Sequence, residues 1–244
     1  MTTPAYNTAF YDRAEKSEIA ARTIVKILRS FIKIDSVLDV GCARGTWLAA
    51  WADSGCGDFL GIDGAYVDQN HLVIDPARFV MVDLSSPFNL GRRFDLVQCL
   101  EVAEHLPRTR SKTLVADLVA HANVALFSAA PPGQGGEFHI NEQHYDFWKA
   151  LFSDHGYIAF DCLRPKIRDI RAIPFWYRYN MILYVKSDTI EKLSAQVRTS
   201  RLAPDAAIPD VAPLAFRARK ALLRLLPGAL IDGLARINAR LPSA

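Results

Sequence analysis

The stretch Val37-Leu38-Asp39-Val40-Gly41-Cys42-Ala43-Arg44-Gly45 decides how this chain is read. It opens as a buried strand, Ser36 to Val40, and closes in a glycine-framed turn, after which helical spacing resumes from Thr46 to Trp51. Glycine at such a turn lets the backbone approach a ligand and swing into a helix whose first amides face it. A helix start by itself would suit a phosphate. Asp39, two residues before Gly41, argues for the opposite charge, because a carboxylate there repels a pyrophosphate and attracts a cation.

Outward from this turn, short apolar runs alternate with helical patterns, the signature of a parallel sheet covered on both faces. Ser17 is placed to cap a helix whose Ile19, Ala20, Ile24, Ile27, Leu28 and Phe31 share one face. Further strands are expected at Phe59 to Ile62, Phe79 to Val82, Phe94 to Leu100 and Val124 to Ser128, with a helix from Ser111 to His121 before the last of these. Asn141 to His155 reads as helical, and Tyr157 to Cys162 and Tyr179 to Val185 as two final strands. The gap of about 16 residues between those two is short for a helical crossover, which predicts an antiparallel pair.

This order resembles the class I S-adenosylmethionine-dependent methyltransferase fold more than a dinucleotide-binding dehydrogenase. The resemblance implies a Rossmann-like seven-stranded, mostly parallel sheet with an antiparallel last strand, helices on both faces, and a helical C-terminal extension. It also implies a cofactor site of Asp39, Gly41, Cys42, Ala43 and Gly45, in which Ala43 replaces the usual middle glycine and predicts a tighter fit. Asp63, at the end of the second strand, would take both ribose hydroxyls. Asp83 would accept from the adenine amino group, with Leu84 at the ring and Leu100 at the end of the fourth strand lining the pocket. An aspartate after a strand is also an ordinary turn residue.

In an open α/β sheet, ligands lie beyond the carboxyl ends of the strands, so the segment after the fourth strand faces the transferable methyl. It reads Glu101-Val102-Ala103-Glu104-His105. On a helical turn Glu101, Glu104 and His105 project together and would hold a divalent cation, magnesium or manganese. This E-x-x-E-H string resembles the metal site of ubiquinone-pathway and small-RNA 2′-O-methyltransferases, where another histidine joins from beyond the fifth strand. His139 and His144 both lie in that region, and His139, after Gly135 and Gly136, is the stronger candidate for fourth ligand or general base. The catalytic set is thus His139, His105 and Glu101, and the metal set Glu101, Glu104, His105 and His139. The bland reading is that these groups merely wall the cofactor pocket.

From Tyr11 to Lys186 the chain resembles bacterial methyltransferases of glycan and polysaccharide assembly. The strings that carry this are LEVAEHLP (Leu100 to Pro107), FSAAPPGQGGEFHINEQ (Phe127 to Gln143), and WYRYNMILYV (Trp176 to Val185). The resemblance implies O-methylation of a saccharide hydroxyl on a lipid-linked or nucleotide-linked sugar. Phe138, Tyr145, Phe147, Trp148, Phe175, Trp176 and Tyr177 would suit a sugar-stacking wall, although Phe147 and Trp148 read rather as core. Arg168, Arg171 and Arg178 read either as partners of a substrate phosphate or as solvated charge. No Asn-Pro-Pro-aromatic or Pro-Cys signature occurs, which argues against methylation of nucleic-acid bases and against a nucleic-acid partner.

The chain has 244 residues and a formal charge of +3. Residues 189–244 hold nine Lys/Arg and four Asp/Glu, so the body is mildly acidic and the tail basic. The expected division is a catalytic domain over 1–188 and a basic helical extension over 189–244, with 199–213 as a proline-rich linker. In the extension, Leu214, Ala218, Ala221, Leu222 and Leu225 share one helical face, and Arg217, Arg219, Lys220 and Arg224 lie around the other. Such a helix suits a membrane surface, its own domain, or a second subunit in a homodimer. No run of about 18 apolar residues occurs. MTTPAYNTAF lacks the features of a secretion signal, and Cys42, Cys56, Cys99 and Cys162 show no C-x-x-C pair. Reduced, buried thiols in a cytoplasmic protein, peripheral at most to the inner membrane surface, are expected. The rivals to saccharide O-methylation are a phenol or polyketide O-methyltransferase and a non-catalytic cofactor-binding subunit of a glycan-assembly complex.

Overall fold

The computed structural model describes residues 8–224. At its centre is a single sheet of seven strands: β1 (Ser36–Val40), β2 (Asp58–Asp63), β3 (Phe79–Met81), β4 (Leu96–Leu100), β5 (Val124–Ser128), β6 (Tyr157–Phe160) and β7 (Ile182–Lys186). They lie in the order β3-β2-β1-β4-β5-β7-β6. The first five are parallel, and β7 runs antiparallel to both β5 and β6, as the short final connection predicted. The chain reverses its direction of travel across the sheet between β1 and β4, which opens a crevice at their carboxyl ends.

Helices cover both faces. On one, α1 (Thr8–Phe31) and α2 (Thr46–Asp53) bury Ala20, Ile24, Leu28, Leu48 and Trp51; on the other, α3 (Ser111–His121) and α4 (Tyr145–Ser153) bury Leu114, Leu118, Trp148 and Phe152. Every residue of β4 and β5 is therefore buried, which explains their continuous apolar character. Each fully buried large side chain contributes about 1.5–3 kcal/mol.

Several local expectations change. Ser17 lies inside α1 rather than capping it, and Ile19 turns to solvent while Ala20, Ile24, Leu28 and Phe31 form the packed face. The helix expected from Asn141 starts only at Tyr145, because Asn141 is held extended by bonds from its side-chain amide to Ala103 O (3.1 Å) and Ser111 Oγ (3.0 Å). β7 starts at Ile182, since Pro174 opens a short helix, α6 (Phe175–Asn180), after α5 (Arg164–Ile167). β4 starts at Leu96, with Phe94 making only an isolated bridge to Ala122.

The stretch expected as a linker is packed against the body. Past α7 (Ala195–Arg198), Asp161 N donates to Ser200 O (3.1 Å) and Leu202 N to Ala159 O (2.9 Å), so residues 200–202 cover the exposed edge of β6. Leu193 and Val197 enter one core and Ile208 the other. The fully buried Arg164 fixes this path by binding Asp161 at 2.7–2.8 Å and the carbonyls of Tyr179 (3.2 Å) and Pro209 (2.9 Å).

α8 (Leu214–Leu223) docks the other way round from its pattern. Phe216 stacks near Phe175 (4.6 Å between ring centres), and Lys220 is buried. The apolar face faces solvent, with Leu214 at 78% and Leu222 at 66% exposure. Leu225 and the rest of the expected helix to residue 241 lie outside the described residues. No helix among the described residues is long and apolar enough to cross a membrane. All four cysteines are buried and unpaired, and burial pushes each thiol up, Cys162 to about 12, so none is a ready nucleophile.

Candidate active site

The β1 turn carries the cofactor-side residues. Gly41, at φ 80°, leaves no room for a side chain, since a Cβ there would lie 2.3 Å from Val102 Cγ2. Ala43 adopts φ 47°, the left-handed conformation that glycine would take without strain. Its amide donates to Asp63 Oδ2 at 2.7 Å, which ties the turn to the end of β2. Cys42 is buried against the same strand, where its Sγ would meet a Cβ on Gly61 at 2.6 Å.

Asp39 is buried, and its Oδ2 has no hydrogen-bond partner among the described residues. Burial raises its carboxyl to about 7, Asp63 adds to the rise, and the amide of neighbouring Gln98 opposes it. An unmatched buried carboxyl at the crevice mouth is the environment in which an ammonium group is welcome. Asp63 is already engaged: Oδ1 accepts from Gly64 N (2.7 Å) and from the Tyr66 hydroxyl. Tyr66 is 82% exposed, so a ribose that took both oxygens of Asp63 would first displace a surface phenol. Asp83 is exposed and spends its oxygens on Ser85 and Ser86, which hold it below the usual carboxylate range. An adenine amino group would compete with these two serines for it. Leu84 and Leu100 are buried beside the crevice strands.

On the acceptor side, Glu101 ends β4 at φ 56° and Phe138 stands at φ 61°, both non-glycine residues in a costly region. Between them lies a side-chain group. Glu104, His105 and His139 bring donor atoms within 4.8 Å of one another. The loop that delivers His139 is stitched to the β4 turn, because Ile140 N (2.9 Å) and Asn141 N (3.0 Å) both donate to Glu104 O. Glu142 folds the loop: its carboxylate accepts from Gly133 N (2.7 Å) and Gly135 N (2.8 Å) and binds His139 Nδ1 at 2.9 Å.

The partners fix the tautomers. A carboxylate and a carbonyl only accept, so His139 Nδ1 donates to Glu142 and His105 Nδ1 donates to Phe138 O (3.3 Å). In the neutral form each ring has a bare Nε2, as a ligand or a base requires. Burial, helped by His139, lowers the His105 pKa and keeps that ring neutral. Glu104 is fully buried; Oε1 accepts from Ala130 N (3.3 Å), and Oε2 has no partner among the described residues. Burial first and the adjacent Glu101 second hold its pKa well above the usual carboxylate range. A carboxyl with an unpartnered oxygen, grouped with two imidazoles, fits a divalent cation, which would ionise it.

Glu101 is not in this group. Its carboxylate is held by Asn180 Nδ2 (3.1 and 3.3 Å) and Gln134 Nε2 (3.2 Å), and burial raises its pKa. His144 is exposed, sits immediately before α4 and is not one of the group. Tyr66 lies in no motif, and Gln134, Glu142 and Asn180 lie within the strings that carry the resemblance but are not singled out by them. Of the aromatic residues, Trp148 is core, whereas Phe138 is 67% exposed beside His139. Arg168 pairs with Asp169, and Arg178 donates to Arg168 O.

Gly136 lies so close to His139 that a Cβ on it would stand 2.1 Å from Nε2. Gly136→Ala is therefore expected to swing the imidazole out of the group and reduce turnover by at least tenfold, a value on the order of the loss when a catalytic group is misplaced by about 1 Å. Circular dichroism and cofactor titration should match wild type. Unchanged turnover would mean that His139 does not act from this position.

An open sheet with the β1-β4 switch, an acid at the turn and a second acid after β2 is methyltransferase architecture. The methyltransferase-domain family matches residues 11–160, and the chain belongs to the class I S-adenosylmethionine-dependent methyltransferases. The sequence matches no curated protein. Among solved structures it is similar to DesVI of Streptomyces venezuelae (TM-score 0.55, 16% identity, covering 73% of this chain and 95% of that one). It is also similar to CalS10, an amino pentose methyltransferase of Micromonospora echinaspora (0.52, 16%, 77% and 98%). The methyltransferase domain of bacterial CtHen1-C is a third such structure (0.53, 18%, 70% and 98%). At these identities the likeness concerns the fold.

Proposed function

We propose that the chain transfers the methyl group of S-adenosylmethionine to a hydroxyl of a saccharide. The observation that carries this reading is the group of Glu104, His105 and His139 at the carboxyl ends of β4 and β5. An alcohol is a poor nucleophile at neutral pH and needs its proton removed as the methyl moves in line, whereas an amine needs far less help. Exposed Phe138 beside His139 offers a ring on which the C–H face of a sugar can pack. CalS10, described as an amino pentose methyltransferase, and KedS8, described as a sugar N-methyltransferase, share the fold and act on sugars.

His139 Nε2 is the atom that receives the hydroxyl proton when no cation is present, with Glu142 fixing the ring and stabilising the imidazolium. Glu104, His105 and His139 are the residues that would hold a divalent cation. When bound, such an ion would lower the pKa of the acceptor hydroxyl. Asp39 holds the cofactor ammonium, and the β1 turn positions the methyl.

The test incubates the purified chain with S-adenosylmethionine and a panel of neutral sugars, amino sugars and phenols, with and without chelator, and reads products by mass spectrometry. The expected result is O-methylation of a sugar, reduced by chelator and restored by Mn²⁺. Methylation confined to sugar amines or to phenols would overturn the acceptor assignment, and full chelator resistance would remove the cation.

A further inference from the structure

α8 closes a cavity of about 340 Å³ against the loop after β5 and the start of α4. Its polar lining comes from His144, Tyr145, Asp210, Arg217, Lys220 and Arg224. Asp210 is matched by the buried Lys220, whose ammonium it binds. Arg224 spends its Nε on Pro132 O (2.9 Å), a neutral acceptor. The Arg217 guanidinium and the His144 ring make no side-chain hydrogen bond or ion pair among the described residues. The cavity thus holds three permanent cations against one carboxylate, a net of two positive charges awaiting an anion.

Its position relative to the acceptor group is set by one wall. Tyr145 lines the cavity, and its hydroxyl donates to Asn180 Oδ1 at 2.9 Å. Asn180 in turn holds Glu101, and Gln134 O accepts from Arg219 of α8 at 3.1 Å. The cavity therefore shares the Tyr145–Asn180 partition and the loop after β5 with the methyl-acceptor side.

We propose that this cavity binds the phosphate or diphosphate group of the acceptor, so that the saccharide methylated is a glycosyl phosphate or diphosphate. Guanidinium groups match phosphate oxygens in pairs, and two unmatched positive charges equal the charge of one phosphate dianion. The inference rests on the saccharide reading given above. It assigns the extension a substrate-binding role.

The experiment is calorimetric titration of the full chain, without S-adenosylmethionine or sugar, with inorganic pyrophosphate, with uridine diphosphate, and with phosphatidylcholine vesicles containing a polyprenyl diphosphate. Wild type is expected to bind pyrophosphate, more weakly as salt rises, and Arg217→Glu at least about tenfold more weakly. Arg217 is exposed, and an unchanged melting temperature will show that the variant folds; Arg217→Ala, with an intermediate loss, separates removal from reversal of charge. Tighter binding of uridine diphosphate than of pyrophosphate assigns a nucleotide-linked sugar, and tighter binding of the vesicles assigns a lipid-linked one. No pyrophosphate binding at millimolar concentration, or equal binding by wild type and Arg217→Glu, overturns the proposal. Because binding is read without methyl transfer, loss of the anion site leaves sugar methylation standing, and absence of sugar methylation leaves the anion site standing.

Discussion

His139→Ala is expected to lower kcat by about 10²–10⁴-fold, the range for removal of a positioned proton-transfer group. The affinity for S-adenosylmethionine and the melting temperature should stay near wild type, because the ring lies in a loop tied down by Glu142 and by the backbone bonds to Glu104 O rather than by its own packing. Glu142→Gln should cost less, roughly tenfold, since a glutamine carbonyl can still accept from Nδ1 but no longer balances a charged ring. The pair of variants separates two roles. A base that fails to take the proton lowers kcat and leaves KM near wild type, whereas a residue that only shapes the loop raises KM as well. Glu104→Gln adds the cation arm: it should abolish Mn²⁺ binding, read by electron paramagnetic resonance on the cofactor-free chain. Unimpaired turnover in His139→Ala and Glu104→Gln together would sink the acceptor-side assignment.

The sequence exposes the sheet well because strands buried on both faces carry an unbroken apolar signal, as in Leu96–Leu100 and Val124–Ser128. The ends of β1 and β2 are equally legible as positions, since Asp39 and Asp63 stand at the carboxyl ends of neighbouring strands. Helix starts are not. Asn141 carries helix-compatible neighbours, yet its amide is captured by Ala103 and Ser111, contacts made across 38 and 30 positions of chain. The spacing of Glu101, Glu104 and His105 suggested one face, but the strained backbone at Glu101 turns its carboxylate to Asn180 and Gln134 and leaves the other two with His139. α8 misled for a related reason. Its apolar face is larger, yet Phe216 and Lys220 dock because aromatic partners and Asp210 await them, and no periodicity encodes those.

Asp39→Asn should weaken S-adenosylmethionine binding by about 10- to 100-fold at pH 8, the loss expected for a hydrogen bond to a charged group of roughly 1.5–3 kcal/mol. The free chain holds Asp39 near 7, and the cofactor ammonium requires the ionised form, so wild-type affinity should rise about tenfold per pH unit up to 7 and level off above it. In Asp39→Asn that slope should vanish. Stability moves in the opposite sense. A carboxyl raised from its ordinary value to about 7 keeps its proton in the folded chain after the unfolded chain has lost it. Its contribution to folding is thus fully present at low pH, declines as pH rises past about 4, and is lost as pH passes through 7. Above that, the buried charge costs on the order of 4 kcal/mol, discounted for whatever water enters the crevice. The cofactor-free Asp39→Asn chain should therefore melt several degrees higher than wild type at pH 8, by a smaller margin at pH 5, and show little difference below pH 4. Saturating S-adenosylmethionine should narrow that gap at pH 8 by about 1.4–2.7 kcal/mol, the free-energy equivalent of a 10- to 100-fold difference in affinity. A variant that binds the cofactor as wild type does, or that melts lower than wild type at pH 8 without it, would show that Asp39 is a structural acid rather than the anchor of the cofactor's positive end.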